Sequence, residues 1–164
     1  MATSCDLIIT RWNARYRGIT FPCAVGRGGI GIKTREGDGI TPVGEWRIDF
    51  AMARPDRSTL AAVPIRSDLH WCDAPDALLY NQPFRELRPA LSAERLFRAD
   101  PLYDLIGVLN HNRYPVRPGA GSAIFLHVWR KPRHPTEGCV AFTRDHLRWI
   151  LDTWSPLARV IIRN

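Results

Sequence analysis

The chain has 164 residues, 45% of them hydrophobic and 24% charged, an ordinary composition for a globular protein that buries its own core. No apolar run approaches the roughly 20 residues that a membrane-spanning helix needs, and residues 1–12 contain no readable secretion signal. The net charge is +7, but the 21 arginines are scattered singly along the chain, which argues against a nucleic-acid partner. We therefore predict one domain, residues 1–164, without a membrane span.

The first third of the chain has the alternation of β-branched and aromatic residues that predicts strands. We expect strands at residues 6–12 and 16–25, then a glycine-rich turn at residues 26–31, and a further strand at residues 45–53. The turn lacks the preceding strand and the following helix of a phosphate-binding loop. It therefore does not indicate a nucleotide site.

The middle of the chain, residues 55–101, contains several prolines and no sustained periodicity. We predict an irregular segment with one short helix at residues 92–99. Long ordered loops are often binding loops, so this segment is a candidate for contacts with a ligand.

The last third is the most regular part of the sequence. Continuous apolar runs predict buried strands at residues 102–109 and 123–129, and a final strand is expected at residues 158–162. Thr143 is a predicted N-cap, because one apolar helix face follows it at Leu147, Ile150, Leu151 and Trp154. The fold class predicted is mainly β with one or two helices.

The four cysteines, Cys5, Cys23, Cys72 and Cys139, are far apart and form no CxxC pair, so neither a zinc ribbon nor a zinc finger is expected. His134 is a conceivable zinc partner for His127 and Cys139, but a third protein ligand at suitable spacing is missing. We predict no metal site and no cofactor.

Cys139 and His127 are the candidate nucleophile and base. Gly138 lacks a β-carbon, so the Gly138 and Cys139 amides can turn toward one point and hold an oxyanion. The loop from His127 to Cys139 is long enough to fold back and bring the two side chains together. Within it, Arg130, Lys131 and Arg133 are expected to favour the thiolate, and His127 to lower the thiol pKa as the imidazolium of an ion pair. The alternative is that Cys139 is an inert, buried cysteine.

Two motifs of the chain resemble the L,D-transpeptidase (YkuD-like) family of bacterial cell-wall enzymes. One is a histidine, a variable loop and then Ser/Thr-x-Gly-Cys-Val/Ile, matched by His127 and by Thr136 to Val140. The other is a lysine followed by Thr-Pro-x-Gly-x and a strand, matched by Lys33 and by "TPVGEWRI" from Thr41. The resemblance covers residues 33–140 and implies a single L,D-transpeptidase-like catalytic domain.

The chain departs from the family pattern next to the cysteine. Glu137 stands where the family usually has histidine, and Ala141 where an arginine commonly follows. Both substitutions leave open how the carboxylates of a substrate are held and which bond is attacked. Val128 replaces a common glycine or serine, but the resemblance assigns only the backbone carbonyl of that residue a role, in orienting the imidazole.

Further residues match a compact subgroup of the same family. The segment "WCDAPDALLYN" contains Trp71, Asp73, Tyr80 and Asn81, and "HNRYPVRPGAGSAIFLH" begins with His111 and Asn112. We expect Trp71 and Tyr80 to wall a peptide groove and Asp73 to hold a substrate ammonium. The remaining substrate-binding candidates are His111, Asn112, Asn81, Arg130, Arg133 and Thr136. Each of these residues also has an ordinary structural explanation, as a core or turn residue.

The resemblance implies a β-sandwich-like fold with a helix packed on one sheet, and acyl transfer on peptidoglycan stem peptides through a Cys139 thioester. It also implies a location in the periplasm or cell envelope. Two alternatives stay open: an L,D-carboxypeptidase or endopeptidase that hydrolyses the same stems, and a non-catalytic module that binds wall peptides.

Overall fold

The computed structural model describes residues 3–164 and is mainly β. Its strands are β1 (Leu7–Ile9), β2 (Asn13–Tyr16), β3 (Ile19–Pro22), β4 (Ile30–Gly31), β5 (Thr41–Pro42), β6 (Gly44–Trp46), β7 (Ile48–Ala53), β8 (Val63–Pro64), β9 (Leu69–Cys72), β10 (Pro83–Arg85), β11 (Ala93–Arg95), β12 (Leu105–Leu109), β13 (Phe125–Val128), β14 (Val140–Phe142) and β15 (Val160–Ile162). The α-helix α1 spans Arg144–Asp152, and a 3₁₀ helix spans Pro101–Tyr103. The predicted fold class is confirmed.

Two five-stranded sheets enclose the main core. One has the order β3-β2-β1-β15-β6 and the other β14-β13-β12-β7-β8. Alternate residues of the first sheet, such as Ala14 and Tyr16, point into the core, and β12, β13 and β14 of the second are buried throughout. Burial on both faces explains why these strands are continuously apolar in the sequence.

Helix α1 packs against β12 and β13. The side chain of Thr143 accepts a hydrogen bond from the His146 amide at 3.1 Å, as expected of an N-cap. Leu147 and Ile150 are fully buried, and Leu151 contacts the position of Gly107 on β12. The predicted helix, its N-cap and the apolar face formed by Leu147, Ile150 and Leu151 are confirmed, whereas Trp154 lies beyond the end of the helix.

The predicted helix at residues 92–99 is wrong, because this segment contains β11. Together with β9 and β10 it forms a three-stranded sheet of order β10-β9-β11, in the part of the chain that we expected to be irregular. Glu94 pairs with Trp71 of β9, and Leu96 is buried in a second core with Trp71 and Phe125. Pairing with a strand more than twenty residues earlier overrides the local helical propensity.

Several predicted strands are interrupted or shortened, and the one expected at residues 6–12 is reduced to β1. Residues 16–25 turn at Arg17 and Gly18, where φ is positive, so two strands form a hairpin there. Residues 45–53 divide into β6 and β7, which belong to different sheets. Residues 102–104 continue the 3₁₀ turn before β12 begins. Within residues 3–164, no helix has both the length and the apolar character needed to cross a bilayer.

Candidate active site

The parallel pairing of β13 with β14 brings the candidate nucleophile and base to one place. His127 pairs with Ala141, and Cys139 immediately precedes β14, beside the start of β13. Both side chains line a single cavity of about 490 Å³. The loop between them folds back as predicted, because neighbouring parallel strands require such a return connection.

The Cys139 thiol is buried and already hydrogen-bonded. Its Sγ donates to the Ala123 carbonyl at 3.1 Å and accepts from the Phe125 amide at 3.3 Å. Burial, with the charge of Glu94, raises the pKa of the thiol to about 12, and the Phe125 amide and Lys33 only partly oppose this. The resting nucleophile is therefore a neutral thiol.

The His127 imidazole is buried and oriented by its own strand. Nδ1 lies 2.8 Å from the Val128 carbonyl oxygen, so Nδ1 carries the proton and Nε2 has a free lone pair. The ring of Tyr103 packs edge-on at 5.5 Å. Burial lowers the pKa of His127 to about 4, which leaves the ring neutral at pH 7.

These shifts contradict the expected thiolate–imidazolium pair. An ion pair would require a raised histidine pKa and a lowered thiol pKa, whereas burial moves both in the opposite directions. The expected source of positive charge is also wrong. Lys33 is the cation whose charge lowers the pKa of Cys139, while Arg130 lines the cavity and Arg133 is exposed outside its lining.

A threonine from each sequence motif fixes the turn that carries Cys139. Thr136 Oγ1 donates to the Cys139 carbonyl at 2.6 Å and accepts from the Gly138 amide at 3.1 Å. Thr41 Oγ1 donates to the same carbonyl at 3.3 Å and accepts from the Gly26 amide at 2.8 Å. Through this contact the Thr-Pro-x-Gly motif supports the turn of the Gly-Cys motif. The Gly138 amide is occupied within the turn.

Four carboxylates line the same cavity, and within residues 3–164 three of them, unlike Glu137, are not paired with an arginine. Asp73 follows β9, Glu94 lies on β11, and Glu36 lies in the loop after Lys33. One carboxylate oxygen of Asp73, Oδ1, is buried without a hydrogen-bond partner. Burial raises the pKa of the Glu94 carboxyl, and a hydrogen bond from the Tyr103 hydroxyl opposes this. Asp73 therefore lies in the same cavity as Cys139 and His127.

The other residues of the middle segment lie behind the cavity lining. Trp71 is fully buried, packs on Phe125 at 4.9 Å and donates to Asn81 Oδ1 at 3.0 Å. Asn81 also accepts from the Ala123 amide at 3.1 Å, next to the carbonyl that holds the Cys139 thiol. These two side chains build the support beneath the nucleophile, so the expected groove wall of Trp71 is not what the structure shows.

Of three further candidates, two bond to the backbone of Gly121 and the third packs against Trp46. Tyr80 is buried, accepts from the Gly121 amide at 3.1 Å and donates to Glu36. Asn112 donates to the Gly121 carbonyl at 2.9 Å. His111 packs edge-on against Trp46 at 4.9 Å, and burial with the charge of Lys33 lowers its pKa to about 4. None of the three side chains is part of the cavity lining that the described residues form.

Glu94, Tyr103 and Thr41 are site residues that the sequence reasoning missed. Glu94 was hidden inside a predicted helix, and its strand pairing with Trp71 is not visible in local sequence. Tyr103 lay inside a predicted strand and outside any motif. Thr41 belonged to a recognised motif, which could have indicated its role. No cluster of three or more metal-binding side chains occurs among residues 3–164.

The fold and the cavity define a mainly β domain with a buried cysteine and histidine beside each other at one sheet edge. The family model of the L,D-transpeptidase catalytic domain, YkuD, matches residues 10–162. The chain belongs to this family, whose members act on peptidoglycan peptides and are typically associated with the cell envelope. No curated protein matches the chain.

Proposed function

We propose that this protein is an L,D-transpeptidase that cross-links peptidoglycan stem peptides through a thioester on Cys139. The observation that carries the proposal is the placement of Cys139 and an oriented, neutral His127 in one cavity of a chain from this family. A single catalytic domain accounts for the whole chain, and the cell envelope is its expected location.

The reaction proceeds in two acyl transfers. His127 Nε2 takes the thiol proton as Cys139 Sγ attacks the carbonyl on the L-centre side of a peptide bond. The imidazolium then protonates the leaving amine as the bond breaks, which yields a thioester. An amine of a second stem attacks the thioester, its proton passes to His127, and the Cys139 sulfur leaves. Because the Gly138 amide is bonded to Thr136, we assign the oxyanion to the Cys139 amide.

The neutral resting state suits this sequence of steps. Transfer of one proton from a neutral thiol to a neutral imidazole creates the nucleophile only when the substrate is in position. Exclusion of water by the bound peptide strengthens the interaction between the resulting charges. A buried thiol is also protected from oxidation between turnovers.

Asp73 is the proposed receptor for an ammonium group of the stem's diamino acid. Its buried Oδ1 is without a partner, and an unpaired buried acceptor is costly unless a ligand supplies the donor. Glu94 and Glu36 line the same cavity and add negative charge. An amine-bearing substrate is therefore better matched to this cavity than a carboxylate alone.

Arg130 is the proposed partner for a stem carboxylate. It lines the cavity, whereas Glu137 is paired with Arg27 at 2.8 Å and Ala141 has no polar side-chain atom. A guanidinium can hold a carboxylate through two parallel hydrogen bonds. Because the usual arginine after the Gly-Cys pair is absent, the position of the scissile bond depends on Arg130.

The proposal is tested by incubating the protein with isolated stems of three, four and five residues and analysing the products by mass. Dimers that are lost in Cys139→Ala, but retained in part by Cys5→Ala and Cys23→Ala, are the expected result. Shortened monomers without dimers would identify a hydrolase. Full activity in Cys139→Ala would exclude the thioester. Reaction of tetrapeptide stems alone, with loss of the terminal residue, would show that Ala141 does not alter the choice of bond.

A further inference from the structure

A buried ion pair lies close to the nucleophile and takes no part in the steps described above. Lys33 Nζ is 2.6 Å from Asp38 Oδ1, and the two side chains are 2% and 6% exposed. Asp38 also accepts hydrogen bonds from the amides of Thr34, Arg35 and Ile40. Burial would raise the pKa of Asp38, but Lys33 and these amides outweigh it and hold the pKa well below its usual range. Asp38 is thus a permanent anion that anchors the Lys33 ammonium.

Lys33 packs beside the turn that carries Cys139, and Gly121 leaves room for its stem. A β-carbon at Gly121 would lie 2.3 Å from Lys33 Cε, so any other residue there would displace the lysine. A β-carbon at Gly138 would lie 3.5 Å from Lys33 Nζ. The ammonium therefore lies against the backbone of the residue that precedes Cys139. Lys33 also lines the same cavity as the thiol.

We propose that Lys33 is a positioning residue that stabilises negative charge on Cys139, an inference that rests on the acyl transfer proposed above. An ammonium group has three donors and no acceptor, so Lys33 cannot take the thiol proton from Cys139. It acts through its charge, which is more effective in a buried site than in water and is already in place before the reaction. Asp38 prevents the ammonium from turning away.

Other charged and titratable groups face the same thiol. Glu94 opposes Lys33, because its charge raises the thiol pKa. Tyr103, whose pKa burial raises well above its usual value, and His127 are both neutral at pH 7. The remaining such groups of the cavity are Glu36, Asp73, Arg98, Arg130, His134 and Glu137. The contribution of Lys33 must be separated from these groups by changing it together with its own partner.

The test measures the rate of Cys139 alkylation by iodoacetamide against pH, with the modified peptide quantified by mass. Four proteins are compared: wild type, Lys33→Met, Asp38→Asn and the double variant Lys33→Met/Asp38→Asn. We expect the apparent thiol pKa to be highest in Lys33→Met, intermediate in the double variant, and lowest in wild type and Asp38→Asn. A shift of about half to one pKa unit corresponds to alkylation that is about 3- to 10-fold slower at a fixed pH near 8.

A merely structural ion pair would give a different order. Lys33→Met and Asp38→Asn would then shift the apparent thiol pKa equally, and the double variant would restore the profile of the wild type. That order, or four coincident profiles, overturns the inference. If Lys33→Met does not fold by thermal unfolding, the double variant carries the comparison, because it leaves no uncompensated buried charge. Alkylation needs no stem peptide, so this result is independent of whether the wild type forms dimers.

Discussion

Lys33 and Glu94 act on the same thiol with opposite charges, but the protein compensates them differently. Lys33 has a permanent partner in Asp38 at 2.6 Å, and both are almost fully buried. Glu94 has a hydrogen bond from Tyr103, but none of the ion pairs among the described residues includes it, and burial raises its pKa. The cation therefore has its own ion-pair partner, whereas the anion forms no such pair within residues 3–164, and the charge that favours it is that of Arg98, which is itself paired with Asp100.

The difference indicates which charge a substrate supplies. A built-in cation stabilises the thiolate in every catalytic cycle. Glu94 disfavours the thiolate until a positive group enters the cavity and compensates it, and Asp73 offers such a group an unpartnered oxygen nearby. On this view, an amine-bearing stem both binds to the acidic side of the cavity and makes Cys139 more acidic.

The charges of Lys33 and Glu94 affect the rate of acyl transfer only if Cys139 loses its proton to His127 during the reaction. His127→Ala should lower the rate of acyl transfer by roughly 10²- to 10⁴-fold, the usual contribution of a general base. Alkylation of Cys139 near pH 7 should also slow. His134→Ala is the matched control, because His134 lines the same cavity without a bond to a strand carbonyl. A larger loss in His134→Ala than in His127→Ala would show that the wrong histidine was assigned.

The acidic side of the cavity is tested by removing the unpartnered carboxylate. Asp73→Asn should raise KM for an amine-bearing stem about tenfold, which is the loss of about 1.4 kcal/mol of binding, with a smaller effect on kcat. Asp76→Asn is the control, since Asp76 is exposed on the same loop outside the cavity. Acetylation of the substrate amine should abolish the difference between Asp73→Asn and wild type; if the difference persists, Asp73 does not hold the ammonium.

Glu94→Gln should shift the pKa of the Cys139 thiol in the opposite direction to Lys33→Met. Because Glu94 raises the pKa of Cys139, Glu94→Gln should lower the apparent thiol pKa and speed alkylation near pH 8 by about 3- to 10-fold. Glu137→Gln is the control, a cavity-lining glutamate that is exposed and paired with Arg27. Slower alkylation in Glu94→Gln would contradict the assignment of opposing charges.

An effect of similar size should distinguish two arginines of the same loop. Arg130→Ala should reduce use of the donor stem about threefold to tenfold, as expected for an exposed charge-assisted contact. Arg133→Ala and Arg85→Ala should change it little, since neither side chain lines the cavity. Competition between two stems that differ only in a terminal carboxylate measures the effect. Equal losses in all three variants would point to a general attraction by net positive charge.

The regular parts of the molecule could be predicted from local sequence. Helix α1 with its Thr143 cap, and the buried strands that became β12 and β13, follow from apolar periodicity and from continuous apolar runs. β11 could not be predicted, because it is stabilised by backbone hydrogen bonds to β9 and by burial of Leu96, neither of which local periodicity reveals. The break at Arg17 and Gly18 was missed because an alternating pattern continues across the turn.

The candidate site also has features that the sequence could predict and features that it could not. Its proposed reacting groups, Cys139 and His127, could be identified as candidates from the sequence because each lies in a compact motif whose residues are close along the chain. The protonation states of these two side chains could not be predicted from the sequence. The expected ion pair assumed that water surrounds both groups, whereas the packed core removes the water that would stabilise their charges. Trp71 and Asn81 were identified as residues of interest, but their position beneath the nucleophile required the fold.

The sequence by itself determined the fold class, the family motifs and the candidate nucleophile, since strand alternation, helix capping and the Gly-Cys turn depend on neighbouring residues. Only the tertiary structure decided which charges surround the thiol. Lys33, Glu94 and Cys139 come from three separate parts of the chain, and electrostatic effects depend on distance and burial rather than on separation in sequence. Lys33 is far from Cys139 in the chain but acts on the thiol pKa, whereas the exposed Arg133 of the loop before Cys139 lies outside the cavity lining.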